Sequence, residues 1–159
     1  MRSAYQIAVF QEHLSGEWSS GEGDALDIAA LVMWVLTVGA GLRLLVRWLS
    51  AGGLRGTKVT RYPAALVLGH PALALAALAT WVAFLVTDSL VYAWSAFGAL
   101  VLVALLGFTM LTRWLTADGG KHARDGEQCF PAVAVVAHGA VATLTFVFVL
   151  LATIRVSRH

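Results

Sequence analysis

Residues 130–154 read FPAVAVVAHGAVATLTFVFVLLATI, a run of apolar side chains whose one strongly polar interruption is His138. A helix rises about 1.5 Å per residue, so a run of this length can cross the roughly 30 Å hydrocarbon core of a bilayer. An ionisable side chain inside a membrane is costly without a partner, and it indicates a functional site by default. We therefore predict a membrane-spanning helix over 130–154 and a partner for His138 elsewhere in the chain.

The composition of the whole chain is that of an integral membrane protein. Of its 159 residues, 59% are hydrophobic and 13% are charged, whereas soluble domains carry about 25% charged residues. The mean hydropathy is +0.78. Three further apolar runs, 25–49, 63–87 and 90–115, are long enough to span a bilayer. Because lipid cannot satisfy backbone polar groups, we predict an all-α fold, an up-down-up-down four-helix membrane bundle over 25–154.

The remaining segments are short and polar. Residues 1–24 begin with a weakly amphipathic stretch that suits an interfacial helix, and a serine- and glycine-rich linker follows it. Asp24 or Asp27 is placed to cap the first span, and Asp88 or Ser89 to cap the third. Residues 155–159 form a short tail. We expect no cleavable signal peptide, and no internal repeat is evident along the chain.

The basic residues predict the orientation, because cytoplasmic loops collect Lys and Arg. The two longer loops and their flanking helix ends carry most of them: Arg43, Arg47, Arg55, Lys58, Arg61, Arg113, Lys121 and Arg124. The opposite side has Arg2, Arg155 and Arg158. Both termini are therefore expected outside the cytoplasm. The preference for arginine, alanine and glycine is typical of a GC-rich bacterial genome, so we expect the bacterial cytoplasmic membrane.

The best partner for His138 is His70. Each histidine lies seven positions after a proline, Pro63 or Pro131, that begins its span, so both imidazoles are expected roughly 10 Å below the helix starts. The second and fourth helices run in the same direction and can lie diagonally opposite in the bundle. Pro71 offers an alternative, because the residue before a proline disfavours helical geometry. The second helix either begins at Pro71 or continues through it from Pro63, and we favour continuation.

Two facing histidines suit the axial positions of one haem. Gly41 and Gly107 lie at the corresponding depth in the other two spans, where small residues leave room for a flat cofactor. Arginines bind carboxylates well, and those near the interface are the candidate partners of the haem propionates: Arg43, Arg47, Arg61 and Arg113. Because glycine is common in membrane helices and these arginines also anchor the spans, each feature has an ordinary structural explanation too.

In its four helices and its histidine pair, the chain resembles the small membrane b-type cytochromes, a group that includes cytochrome b561 proteins and the haem-carrying anchor subunits of respiratory enzymes. The resemblance covers the architecture of 25–154. It implies one haem b near the cytoplasmic side, ligated by His70 and His138, and single-electron transfer linked to quinol or to other membrane subunits. Two-haem members use two histidine pairs, and here only one pair is intramembrane.

Other functions remain open. No nicotinamide, Walker or nucleophile-elbow motif is present, so the chain is expected to be an electron-transfer or accessory subunit rather than a complete enzyme. A cofactor-free structural or assembly subunit of a larger complex is the alternative. A transporter would need intramembrane carboxylates, and a two-histidine copper site would lack supporting Met or Cys ligands. Lipid and membrane subunits are the expected partners. Nucleic acid is not, because the basic residues are not clustered with exposed aromatics.

Overall fold

The computed structural model describes residues 2–54, 63–115 and 131–158, with side chains described from Gly23 onwards. Within these ranges the secondary structure consists of four helices: α1 (Arg2–Ser50), α2 (Ala64–Thr87), α3 (Leu90–Leu115) and α4 (Ala132–Val156). Each is long and apolar enough to cross a membrane, and the crossing part of α1 is Gly23–Ser50. The predicted all-α four-helix membrane bundle is confirmed.

The helices are arranged in chain order around the bundle. The strongest contacts join α1 to α4 and α2 to α3, and weaker contacts join α1 to α2 and α3 to α4. Neighbours in this ring are antiparallel, so the topology is up-down-up-down. The two histidine-bearing helices, α2 and α4, are therefore diagonal and run in the same direction, as predicted.

A tight turn joins α2 to α3 at Asp88, which caps the end of α2 and does not cap α3. Asp88 has a left-handed backbone (φ 52°, ψ 21°), and its N–H donates to the carbonyl of Phe84. The carbonyl of Ser89 accepts the first N–H groups of α3, from Tyr92 and Ala93. Short polar residues tolerate the left-handed conformation that ends many helices, which explains why an aspartate is found here.

The first helix is longer than predicted. It begins at Arg2, whereas the sequence suggests a linker before Asp24 and a span starting at residue 25. Adding residues to an existing helix is far easier than nucleating one, so the helix continues beyond its membrane-crossing part and through the polar stretch that precedes it. Asp27 consequently lies within the helix and does not cap it. Its carboxylate accepts a 2.6 Å hydrogen bond from Arg155 of α4, whose guanidinium packs against Gly23.

The second helix runs through Pro71 without a break, from Ala64 to Thr87, so the continuous helix predicted from Pro63 is correct. A proline inside a helix loses one hydrogen bond and crowds the preceding turn. In hydrocarbon, a helix that began only at Pro71 would leave several backbone groups without partners. The single lost bond is the smaller cost.

The packing differs between the two halves of the bundle. In the half near the Asp88 turn, Trp34, Trp81 and Phe84 are buried together with ring centroids 4.8–6.2 Å apart, and Ala93 and Ala96 of α3 lie in the same core. At the loop end, a smaller cluster surrounds Trp48 and Val67. Between these clusters the bundle is hollow. Large apolar side chains cover its outer surface, as a lipid-facing surface requires: Val46, Val86, Phe108 and Val133 are among them.

Candidate functional site: two facing imidazoles

The imidazoles of His70 and His138 face each other across the hollow half of the bundle. Their ring centroids are 6.4 Å apart, and the ring planes are inclined by 78°. The matched depth has a local cause. Pro63 and Pro131 start their helices in the same way, each carbonyl accepting N–H groups three and four residues later at 2.9 and 3.2 Å. The prediction that the two imidazoles meet at one level is confirmed.

The space around the two rings is a cavity of about 610 Å³, within the range of roughly 300–1,000 Å³ that small-molecule and cofactor sites occupy. All four helices contribute to its walls. The lining is almost entirely apolar, with a tryptophan near each end of the α1 contribution, Trp34 and Trp48, and a third, Trp114, on α3. Such walls exclude water, and polar recognition is left to the histidines and a few neighbours.

A glycine lies behind each imidazole. A Cβ added at Gly41 of α1 would come within 3.1 Å of Cε1 of His138, and a Cβ added at Gly107 of α3 would come within 3.1 Å of Cε1 of His70. These contacts are closer than side chains normally make, so an alanine at either position would require the imidazole to move by a few tenths of an ångström. Both glycines lie beside the imidazoles, at the depth predicted from their positions in the sequence. Both line the cavity.

Each imidazole has one polar backbone neighbour on the helix that carries its glycine. For His70 this neighbour is the carbonyl of Val103, and for His138 it is the carbonyl of Thr37. Both carbonyls precede the contacting glycine by one helical turn, and the missing side chain gives the ring access to them. The Nδ1 atom of each histidine is nevertheless buried without a hydrogen-bond partner among the described residues.

The surroundings of the two rings differ in polarity. Next to His138, the hydroxyls of Thr37 and Thr145 are 2.8 Å apart and join α1 to α4. Each hydroxyl also lies within hydrogen-bond distance of a carbonyl of its own helix. Because a hydroxyl carries a single hydrogen, one threonine donates to the other, and only the second donates to its own helix, as hydroxyls in membrane helices commonly do. Both line the cavity, so its wall is slightly polar on the His138 side.

The spacing of the two rings suits one metal ion held between them. Imidazoles that bind one metal from opposite sides through bonds of about 2 Å have ring centroids about 6 to 6.5 Å apart. Within the described ranges, no three His, Cys, Asp or Glu side chains come together as a metal site. A metal whose remaining ligands come from its own macrocycle fits this donor set better than an ion that needs three or four protein ligands.

The predicted arginines are not part of the cavity wall. Arg43, Arg47 and Arg113 are exposed at the loop end of the bundle, and none of the three lines the cavity. Arg61 falls outside the described residues. Of the predicted site residues, the structure brings together His70, His138, Gly41 and Gly107.

The aromatic ends of the cavity were not predicted. Trp48 is fully buried beneath the turn that follows α1 and packs against Gly53. A signal was available in the helical spacing, because Trp34, Gly41 and Trp48 are separated by seven residues each and so lie on one face of α1.

No protein-family profile matches this chain, and neither a curated protein nor a solved structure matches it.

Proposed function

We propose that the chain is a membrane electron-transfer subunit that binds one b-type haem between His70 and His138. The observation that carries the proposal is the pair of imidazoles, whose ring centroids are 6.4 Å apart across an almost entirely apolar cavity. Both intramembrane histidines have a buried Nδ1 atom without a hydrogen-bond partner among the described residues. In a purely structural bundle each would lower the stability of the fold without a compensating interaction. Ligation of a metal accounts for both rings at once.

The residues present fit this group. Imidazole is a ligand that haem takes in many proteins, and the cavity has a suitable volume. Gly41 and Gly107 leave room for the two imidazole rings. When bound, haem supplies a one-electron couple. The chain would hold it dry, fix its orientation and set its potential through burial and hydrogen bonds to the ligands.

The number of histidines decides between electron transfer and substrate chemistry. If His70 and His138 both bind the haem, the protein would leave no open position for oxygen or another small molecule. The haem would then supply one-electron chemistry without binding a substrate at the metal. Quinol and other membrane subunits are the partners that we propose, as donors and acceptors of single electrons.

The proposed setting is the bacterial cytoplasmic membrane, with both termini outside the cytoplasm. The arginine-rich loop end of the bundle would then be cytoplasmic, in keeping with the distribution of Lys and Arg. The cavity lies in the same half of the bundle. Electron exchange is therefore proposed with a donor on the cytoplasmic side.

The test is a visible spectrum of the full chain purified from cells supplied with a haem precursor. The wild-type protein is expected to show a Soret band and about one haem per chain by pyridine haemochrome assay. His70→Ala and His138→Ala should each abolish six-coordinate binding. His122→Ala, a histidine substitution in a polar loop, is the matched control and should leave the spectrum unchanged.

A colourless, monodisperse and thermally stable wild-type protein would reject the haem proposal in favour of the cofactor-free structural subunit. Metal analysis of the same sample separates iron from copper, the other metal that two imidazoles could hold. Copper at about one equivalent without a Soret band would likewise overturn the haem assignment.

A further inference from the structure

The two glycine–histidine contacts reveal an internal repeat, in which the first two helices resemble the last two in sequence. Residues 41–53, GLRLLVRWLSAGG, correspond to residues 107–119, GFTMLTRWLTADG. The shared positions include the cavity glycine, an Arg-Trp-Leu triplet and a glycine in the following loop. The first and third helices thus end in the same pattern.

The second and fourth helices repeat as well. Residues 63–74, PAALVLGHPALA, correspond to residues 131–142, PAVAVVAHGAVA. The starting proline, the histidine and two alanines after it coincide. This repeat is not evident along the chain. The reason is that apolar helices resemble one another in composition, so only the rare residues, Pro, His, Trp and the contacting Gly, carry the signal.

The fold has the symmetry that the sequence repeat requires. Exchanging α1 with α3 and α2 with α4 exchanges the two strong contacts, α1 with α4 and α2 with α3, and likewise the two weak ones. The same exchange converts the Gly41–His138 contact into the Gly107–His70 contact, each with a 3.1 Å approach. It also converts the carbonyl of Thr37 into that of Val103.

The site is formed between the repeats. The histidine of the first two-helix unit packs on the glycine of the second, and the reverse also holds. Such reciprocal contacts define an isologous interface, in which the same surface of two copies meets itself. Neither unit alone contains a complete histidine–glycine contact, so the cavity exists only because the two units pack together.

A further pair of equivalent residues lies at the loop end of the cavity. Trp48 and Trp114 occupy the same repeat position, and both line the cavity. The side chain of Trp48 is 0% exposed, and its indole Nε1 has no hydrogen-bond partner among the described residues. A fully buried N–H without an acceptor is costly, and indole donors normally find a partner when they are buried.

We infer that the two repeats hold one ligand on the axis that relates them, and that Trp48 and Trp114 donate hydrogen bonds to its acidic groups at the loop end. The inference rests on the proposed haem, which carries two carboxylates on one edge. Each unit then contributes one imidazole and one indole. The indoles bind the carboxylates inside the cavity, whereas the arginines lie outside it.

The test uses purified full-length protein in lipid nanodiscs, with Trp48→Phe, Trp114→Phe and the double variant. Each single change is expected to lower the midpoint potential, because a carboxylate without its donor keeps more negative charge near the iron and favours the ferric state. The two shifts should be similar in size and should add in the double variant. Each single variant should also weaken haem retention roughly tenfold.

Trp94→Phe is the control, since Trp94 is exposed near the Asp88 turn and donates to Ser157, far from the loop end. It should leave the potential unchanged. A haem-loaded wild type whose potential is unaffected by Trp48→Phe and Trp114→Phe, or responds to only one of them, overturns the paired-donor inference and leaves the haem proposal standing. A wild type without a Soret band overturns the haem proposal, and with it this inference.

Discussion

The two buried imidazoles are the least explained groups in the bundle if no ligand is considered. A polar group without a hydrogen bond in an apolar interior costs about 1–3 kcal/mol by mutational measures, and each histidine has such an Nδ1 atom among the described residues. A leucine at either position would pack without that cost. In the proposed function both imidazoles would be ligands, and the carbonyls of Val103 and Thr37 beside them would orient the rings.

The glycines behind the rings allow a sharp test at the residue scale. Gly41→Ala and Gly107→Ala each place a methyl group about 3.1 Å from an imidazole carbon, so the ring must move by a few tenths of an ångström. We expect both variants to fold and to bind haem more weakly, with a broadened or shifted Soret band. Titration of the apoprotein with haemin measures the loss.

Two other glycines serve as matched controls. A Cβ at Gly39 or Gly98 meets none of the described atoms within 4 Å, and alanine is the better helix former by about 0.5–1 kcal/mol. Gly39→Ala and Gly98→Ala should therefore bind haem normally and melt at the same or a higher temperature. Equal haem loss in all four variants would contradict the steric role assigned to Gly41 and Gly107.

The angle between the imidazole planes predicts a spectroscopic property. The planes are inclined by 78°, and two nearly perpendicular imidazoles would leave two d orbitals of a haem iron held between them close in energy. The ferric protein is therefore expected to give a strongly anisotropic low-spin electron paramagnetic resonance signal at low temperature. A rhombic signal of the kind given by parallel imidazoles would show that the rings rotate on ligation.

At the scale of the helices, one ion pair joins α1 to α4 near the end remote from the cavity. The side chains of Asp27 and Arg155 are 11% and 28% exposed, so the charges are largely desolvated. Removing one partner leaves the other charge without compensation, which costs up to about 3–5 kcal/mol at a fully buried pair and less here because of the exposure. We expect Asp27→Asn and Arg155→Gln each to destabilise the bundle by about 1–3 kcal/mol.

A double-mutant cycle measured by thermal unfolding in detergent tests the ion pair. The double variant Asp27→Asn/Arg155→Gln should be less destabilised than the sum of the single variants, because the orphaned charge is then absent. Haem binding should be retained in all three, since neither residue lines the cavity. Strictly additive effects would indicate that the two side chains stabilise the bundle separately.

The helices were largely predictable because hydrocarbon dictates their length and continuity. The span that begins at Pro63 and passes Pro71 is an example, since the membrane penalises an interrupted helix more than it penalises one proline. The start of α1 was not predictable in this way. It lies at Arg2, in a weakly amphipathic stretch where neither hydrophobic length nor a capping residue marks a boundary, and the aspartate expected as a cap pairs with Arg155 instead.

At the scale of the whole molecule, the depth of His70 and His138 followed from counting residues, whereas the lateral arrangement did not. Depth is fixed by the helical rise, but the roles of Gly41, Trp48 and Trp114 depend on how four helices rotate and pack against each other. The arginines near the interface show the limit. Their charge and depth suited a carboxylate ligand, yet Arg43, Arg47 and Arg113 are exposed outside the cavity.

A further test fills the cavity with a larger side chain and leaves both histidines in the sequence. Ala74 and Ala142 occupy equivalent repeat positions and line the cavity, so Ala74→Phe and Ala142→Phe should place a ring where the ligand would lie. Overpacking of a tight core usually costs about 1–3 kcal/mol. In a cavity of about 610 Å³ the apoprotein should instead be as stable as wild type or more so, and haem uptake should fall steeply.

The control for cavity filling is Ala76→Phe, because Ala76 is exposed on the outer surface of α2. This variant should bind haem like the wild type. Haem titration and apoprotein melting, measured on the same preparations, separate the two effects. Strong destabilisation by Ala74→Phe and Ala142→Phe without haem would mean that the hollow half of the bundle closes up when no ligand is bound.

The orientation of the bundle would determine which compartment exchanges electrons with the proposed haem through the loop end of the cavity. Basic residues concentrate at that end, which predicts a cytoplasmic location for both long loops. Cys129, the single cysteine of the sequence, lies between the residues of α3 and those of α4. In intact cells it should resist a membrane-impermeant maleimide, and it should react once the membrane is opened.

In a Cys129→Ser background, Asp88→Cys in the α2–α3 turn should show the opposite pattern, because that turn would face outward. Labelling of Cys129 from outside would invert the bundle and move the proposed electron donor to the other side of the membrane.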